Sequence, residues 1–181
     1  MSPRDSANRI ERKRPPVCRQ AAWRGSGCAA VCISGIEEGM ASSEAFAALP
    51  VGRRVTVRRT VSESDVYLFA GLTGDHSPNH TDEEYMRGTR YGRRIAHGAL
   101  CIGLMSAAST KIIEGLPGTI ISYGYDRVRF PAPLFFGDTV TVTYEIVERD
   151  PAALKTFARV TCATQRGDVV AAATHILKIV E

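Results

Sequence analysis

The stretch HGALCIGLMSAASTKII, His97 to Ile113, decides how the rest of the chain is read. Ala99, Leu100, Ile102, Leu104, Met105, Ala107, Ala108, Ile112 and Ile113 place apolar groups on nearly every side of a helix. A helix of that kind is expected to be covered all round by other elements. The material to cover it follows at once. Four runs, Thr119 to Phe130, Thr139 to Val147, Thr156 to Thr164 and Val169 to Ile179, have the β-branched content and spacing of strands. Turns such as Phe136-Gly137-Asp138 and Arg166-Gly167-Asp168 separate them.

Upstream of the helix the pattern is mixed. Arg53 to Thr60 alternates around Val55 and Val57 and reads as a strand. Ser62 followed by Asp65 has the spacing of a capping box at a helix start, with Val66, Leu68, Phe69 and Leu72 on the next turns. Residues 71–82 are loop-like, and a short helical piece covers Glu83 to Arg87. One strand, a helical excursion, a central helix and an antiparallel meander make an α+β domain whose sheet wraps around a single buried helix.

Length and composition fit that picture. The 181 residues, 44% hydrophobic and 23% charged, suit one domain. The apolar run from Ala96 to Ala108 is too short to span a bilayer and holds His97 and Ser106. The net charge of +4 is concentrated at the front: residues 1–40 carry seven Lys/Arg against four acids, and the rest is near neutral. A near-neutral body is not a polyphosphate binder, so no nucleic-acid partner is expected. Residues 1–40 lack periodicity and read as a disordered extension ahead of a domain at 41–181. Their Arg-rich character would fit a mitochondrial presequence, against which Asp5, Glu11 and Pro15-Pro16 speak, and a start at Met40 with the rest as an upstream extension is a second reading. Five scattered cysteines, an odd number, argue for a reducing compartment rather than a disulfide framework.

The densest polar segment is Thr73-Gly74-Asp75-His76-Ser77-Pro78-Asn79-His80-Thr81-Asp82. Asp75 and His80 supply a carboxylate and an imidazole, the minimum for general acid–base work. The plain alternative is a loop-capping Asp75 and a satisfied structural His80. Asp75, His76, His80 and Asp82 are also possible metal ligands, but no second ligand cluster or HExxH helix accompanies them, and no metal is expected. Cys101, inside the apolar helix, reads as a buried inert thiol. His97-Gly98 opens that helix, where unpaired N–H groups and a missing Cβ admit either a ligand carbonyl or a tight entry turn. Arg87, Arg90, Arg93 and Arg94 crowd eight residues, as a phosphate contact or as a solvated face.

In combination these segments resemble the MaoC-like, R-specific enoyl-CoA hydratases of the hotdog fold. The resemblance is carried by Gly74-Asp75-x-x-Pro78-x-His80, by His97-Gly98 with Ser106 further on, and by Arg129-Phe130-x-x-Pro133-x-x-x-Gly137-Asp138, over about residues 50–181. It implies an antiparallel sheet around the central helix and a homodimer with the site near the subunit interface. It implies that Asp75 and His80 hold the water added to a trans-2-enoyl-CoA, giving the R-3-hydroxyacyl product. The Gly98 N–H would polarise the thioester carbonyl, and Ser106 would orient the aspartate. The acyl-CoA thioester is the implied small-molecule partner, with no further cofactor and a cytoplasmic setting, or the mitochondrial matrix if the tail is a presequence. A dehydratase for a branched or dicarboxylic acyl-CoA, a hotdog thioesterase and a non-catalytic acyl-CoA-binding module share the fold. The chain departs from the family pattern at Ser77, where many members carry Asn.

Overall fold

The structure, a computed structural model, describes residues 34–180. The disorder expected for residues 1–40 falls, for 1–33, outside the described residues. Residues 34–40 belong to helix α1 (Ser34–Ala47), whose last turn is held by buried Ala45, with Leu49 buried just beyond it. Then come β1 (Arg54–Thr60), α2 (Glu63–Thr73), α3 (Pro78–Thr81), α4 (Glu83–Arg87), α5 (Leu100–Ile113), β2 (Ile120–Arg129), β3 (Thr139–Asp150), β4 (Lys155–Thr164) and β5 (Val169–Ile179).

The five strands form one antiparallel sheet in the order β1-β3-β4-β5-β2, and α5 packs against all five. Alternation sets the inner face: Val140, Val142, Tyr144 and Ile146 of β3 are buried, as are Ala158, Val160 and Cys162 of β4. Only β3, β4 and β5 form the expected meander. β2 lies beside β5 at the far edge rather than beside β3. Tight turns join sequential neighbours, whereas the β2–β3 connection, residues 130–138, carries Pro131 and Pro133 and is too long and stiff for a hairpin.

The central helix also differs from expectation. Cys101, Met105, Ala108 and Ile112 form a buried stripe at helical spacing, but Gly103, Ser106, Ala107 and Thr110 are exposed within the chain. The reason lies in side-chain size. The outward face is non-polar mainly through Gly and Ala, which expose little apolar surface and do not demand cover as Leu or Ile would.

Asp138 fastens the β2–β3 connection to the β4–β5 turn. Its carboxylate takes two bonds from the Arg166 guanidinium (2.7 and 2.9 Å), one from Gln165 (2.9 Å) and one from the Phe135 N–H (3.1 Å). The Arg166 guanidinium, the largest influence on it, holds the Asp138 carboxyl down to about 2.

Candidate active site

The site grows from the end of α2. The Ser62–Asp65 capping box starts that helix as the sequence suggests, and Gly74 ends it in a left-handed conformation (φ 79°) that a Cβ would disfavour. The chain then turns through Asp75. The Asp75 N–H donates to Thr73 Oγ1 and the Ser77 N–H to Asp75 Oδ1, both at 3.3 Å, while Thr81 Oγ1 donates to the carbonyls of His76 and Ser77. At Ser77, where the family pattern has Asn, it is therefore the backbone N–H that contacts the aspartate. Pro78 then opens the single turn of α3, which carries His80.

Residues 95–98 tie this loop to the start of α5. The Ile95 N–H donates to the Asn79 carbonyl (3.0 Å), Ile95 bridges to Phe135, and the Ala96 N–H donates to the Leu134 carbonyl (2.7 Å). His80 and His97 thereby come together, both nearly fully buried, with ring centroids 3.7 Å apart. His80 Nδ1 lies 2.7 Å from the Ile95 carbonyl. A carbonyl only accepts, so Nδ1 carries the hydrogen, and Nε2, 3.2 Å from Asn79 Nδ2, presents its lone pair. Burial is the largest influence on the His80 ring and pushes its pKa below the ordinary 6.5, which favours this neutral base form.

His97 takes a role that sequence reasoning missed. Its Nε2–H donates to the Asp75 carbonyl at 2.9 Å and stands 3.9 Å from Asp75 Oδ2, while its ring tilts against Phe69. The histidine next to Gly98 was visible in the sequence, but nothing in the spacing says that it reaches back 22 positions. Asp75 itself keeps a half-exposed side chain. Ser106 is not brought to Asp75. It stands eight residues past Gly98, about 12 Å down the helix axis at 1.5 Å per residue. Its carbonyl accepts from Ser109 and Thr110, and its hydroxyl faces Tyr125. The aspartate is held by His97 instead.

Gly98 behaves as a helix entrance should. Leu100, Cys101 and Ile102 donate to the carbonyls of His97, Gly98 and Ala99, and no side chain caps the helix. Among the described residues, the N–H groups of Gly98 and Ala99 have no partner. A Cβ on Gly98 would sit 2.8 Å from Phe130 Cγ, so glycine is also required for the ring to pack there. Gly98 and Ile95 line a cavity of about 380 Å³ that runs from exposed Arg90 and half-buried Tyr91 to buried Cys101, Leu134 and Val170.

Asp75, His80 and His97 place one possible ligand atom each within 4.8 Å of the others. Two of the ring nitrogens there, His80 Nδ1 and His97 Nε2, face the carbonyls of Ile95 and Asp75. His76 and Asp82, the other two ligand candidates, are absent from that cluster. Asp82 instead caps α4 through the Tyr85 N–H (2.9 Å).

The MaoC like domain model matches residues 46–166. The chain belongs to that family. The MaoC-like domain is 40% identical over 125 residues to the "(R)-specific enoyl-CoA hydratase" of Rhodospirillum rubrum, covering 69% of this chain and 84% of that protein. It is 38% identical to the "3-hydroxybutyryl-CoA dehydratase" of Methylorubrum extorquens, covering 69% and 76%. Among solved structures, the unliganded R-hydratase of Pseudomonas aeruginosa matches with a TM-score of 0.66 and 32% identity, over 75% of this chain and 85% of that one. The (R)-hydratase of Aeromonas caviae gives 0.66 and 27%, over 73% and 98%. The fold is the hotdog fold, and this MaoC-like domain is an enzyme of the hydratase/dehydratase class.

Proposed function

We propose that the protein reversibly adds water across a trans-2-enoyl-CoA to give the R-3-hydroxyacyl-CoA. The observation that carries this is the His80 ring, held as a neutral base whose Nε2 lone pair faces only the Asn79 side-chain amide, in one cluster with the Asp75 carboxylate. The names of the relatives support the substrate class.

In this reading a water sits between Asp75 and His80. Its oxygen bonds to C3 of the enoyl group as one of the pair takes its proton, and the electron pair of the double bond moves toward the thioester oxygen. The Gly98 N–H stabilises that developing enolate, and the proton held by the pair is delivered to C2. Dehydration runs the same steps backward. Asp75 and His80 share the proton as a coupled unit. His97 is a positioning residue: its bond to the Asp75 carbonyl sets where the carboxylate stands.

The half-exposed Asp75 side chain and the open outer face of α5 support a homodimer that closes the site. Buried free thiols at Cys101 and Cys162 support a reducing, cytoplasmic setting. The test is to follow enoyl absorbance and free thiol together over a panel of short, branched and dicarboxylic enoyl-CoAs. Loss of the enoyl signal without thiol release is the expected result; thiol release would make the protein a thioesterase.

A further inference from the structure

The four arginines between positions 87 and 94 separate into different roles once their partners are known. Arg94 is locked, with its guanidinium on Glu63 (2.6 Å) and Glu83 (2.8 Å). Arg87 pairs with Glu84 at 2.9 Å. Arg93 lies over the Phe135 ring at 4.0 Å and does not line the cavity. Arg90 differs from all three: it lines the solvent end of the cavity, and among the described residues no carboxylate pairs with it. Tyr91 orients it, accepting a bond from its Nη2 at 2.7 Å with the ring centroid 4.8 Å from the guanidinium carbon.

The same cavity is lined by Gly98 and by buried Cys101, Leu134 and Val170. An apolar floor, one unpaired backbone donor on the wall and one uncompensated guanidinium outside suit a ligand with an apolar head, a carbonyl and an anionic tail. A guanidinium held on one side by a hydroxyl keeps its other donors for a tetrahedral oxyanion, which its planar fork fits well.

We propose that Arg90 anchors the phosphate at the end of a pantetheine arm whose thioester reaches into this cavity toward Gly98. The assignment rests on the enoyl-thioester reading above. Coenzyme A and a carrier protein both present such a phosphate, so the shared chemistry is the phosphopantetheine arm.

The test compares the protein with Arg90→Gln and Arg90→Lys on crotonyl-CoA, crotonyl-phosphopantetheine and crotonyl-pantetheine. Arg90→Gln is expected to raise KM about 10-fold for the two phosphorylated substrates relative to crotonyl-pantetheine, the scale of one charge-assisted hydrogen bond. Arg90→Lys should recover part of that loss, and kcat should stay level across the set. A crotonyl-loaded carrier protein in the same pair tells the two sources apart: the source with the lower KM presents the arm, and the penalty is expected on both. Equal KM changes for all three small substrates, or a change for crotonyl-CoA alone, would overturn the assignment. Titration of free coenzyme A into both proteins needs no turnover. About 10-fold weaker binding by Arg90→Gln supports the anchor even if hydration fails, and unchanged binding overturns it.

Discussion

His80 and His97 lie ring over ring with centroids 3.7 Å apart, and each imidazole is fixed by a backbone carbonyl, Ile95 for one and Asp75 for the other. A positive charge on His80 is disfavoured beside a second imidazole at that distance, because charge is poorly screened in a buried setting. Burial lowers the His80 pKa first and His97 adds to it, against the Ile95 bond, which raises it. NMR titration should therefore place the His80 ring below 6.5, with the acid limb of kcat/KM following it. His97→Phe keeps a ring in place that cannot ionise, and should move the His80 titration upward. A His80 pKa above 6.5, or one that His97→Phe leaves unmoved, would contradict this.

Asp75 and His80 act on the same water in the proposed reaction. Asp75→Asn and His80→Gln are each expected to cut kcat by at least ~10², the range for losing an acid–base partner. Steady-state kinetics on variants with native circular dichroism checks this; near-normal rates in both would remove the pair from the chemistry.

Gly98 has two reasons to be glycine, and they can be separated. Alanine there drives a Cβ into the Phe130 ring at 2.8 to 3.0 Å, so the ring must swing and the helix entrance must shift. Gly98→Ala should lower kcat/KM about 10-fold or more, as small displacements of a positioned donor do. Gly98→Ala combined with Phe130→Leu should regain much of it if the clash is the cause. A fully active Gly98→Ala protein would show that the donor's placement is not critical.

Acid should weaken the fold in two stages. His175 is buried between Tyr144 Oη (2.9 Å) and Ser122 Oγ (2.7 Å), and burial pushes its pKa down to about 4. The unfolded chain takes that proton near 6.5, so stability is full above 6.5 and declines between 6.5 and about 4, by at most about 1.4 kcal/mol per pH unit for one group. His80, also lowered by burial, adds to the decline below 6.5. Asp138 contributes stability above its unfolded value of 3.8 that is lost as pH falls toward 2. Urea midpoints at pH 7.5 and 5 should differ less in His175→Gln than in the parent protein; an equal difference would contradict the assignment.

Asp138→Ala should cost about 2 kcal/mol, the scale of stranding buried donors, and more than Arg166→Ala. Removing Asp138 loses all four of its bonds and strands the Gln165 and Phe135 donors, whereas removing Arg166 loses two and leaves the Gln165 and Phe135 bonds in place. Denaturation of the two variants side by side checks the order.

Much of this was legible in the residues. Periodicity marked β1, α2, α4 and the four later strands to within a few positions. Asp75 and His80 were visible as a pair, with only four residues between them, and one ligand atom of each lies in the same 4.8 Å cluster. What was hidden was long-range. The placement of β2 beside β5 depends on a connection whose prolines were visible but whose path was not. His97 gains its role by reaching Asp75 across 22 positions, and the Ser106 hydroxyl, placed by analogy, faces Tyr125. The arginine run could not be sorted before its partners were known.

The most direct test is hydration of crotonyl-CoA by the purified protein, followed through the enoyl-thioester absorbance, with chiral analysis of the product. The account predicts R-3-hydroxybutyryl-CoA, formed rapidly by the parent protein and at least ~10² more slowly by Asp75→Asn. The S product, or hydration that does not depend on Asp75 and His80, would contradict it.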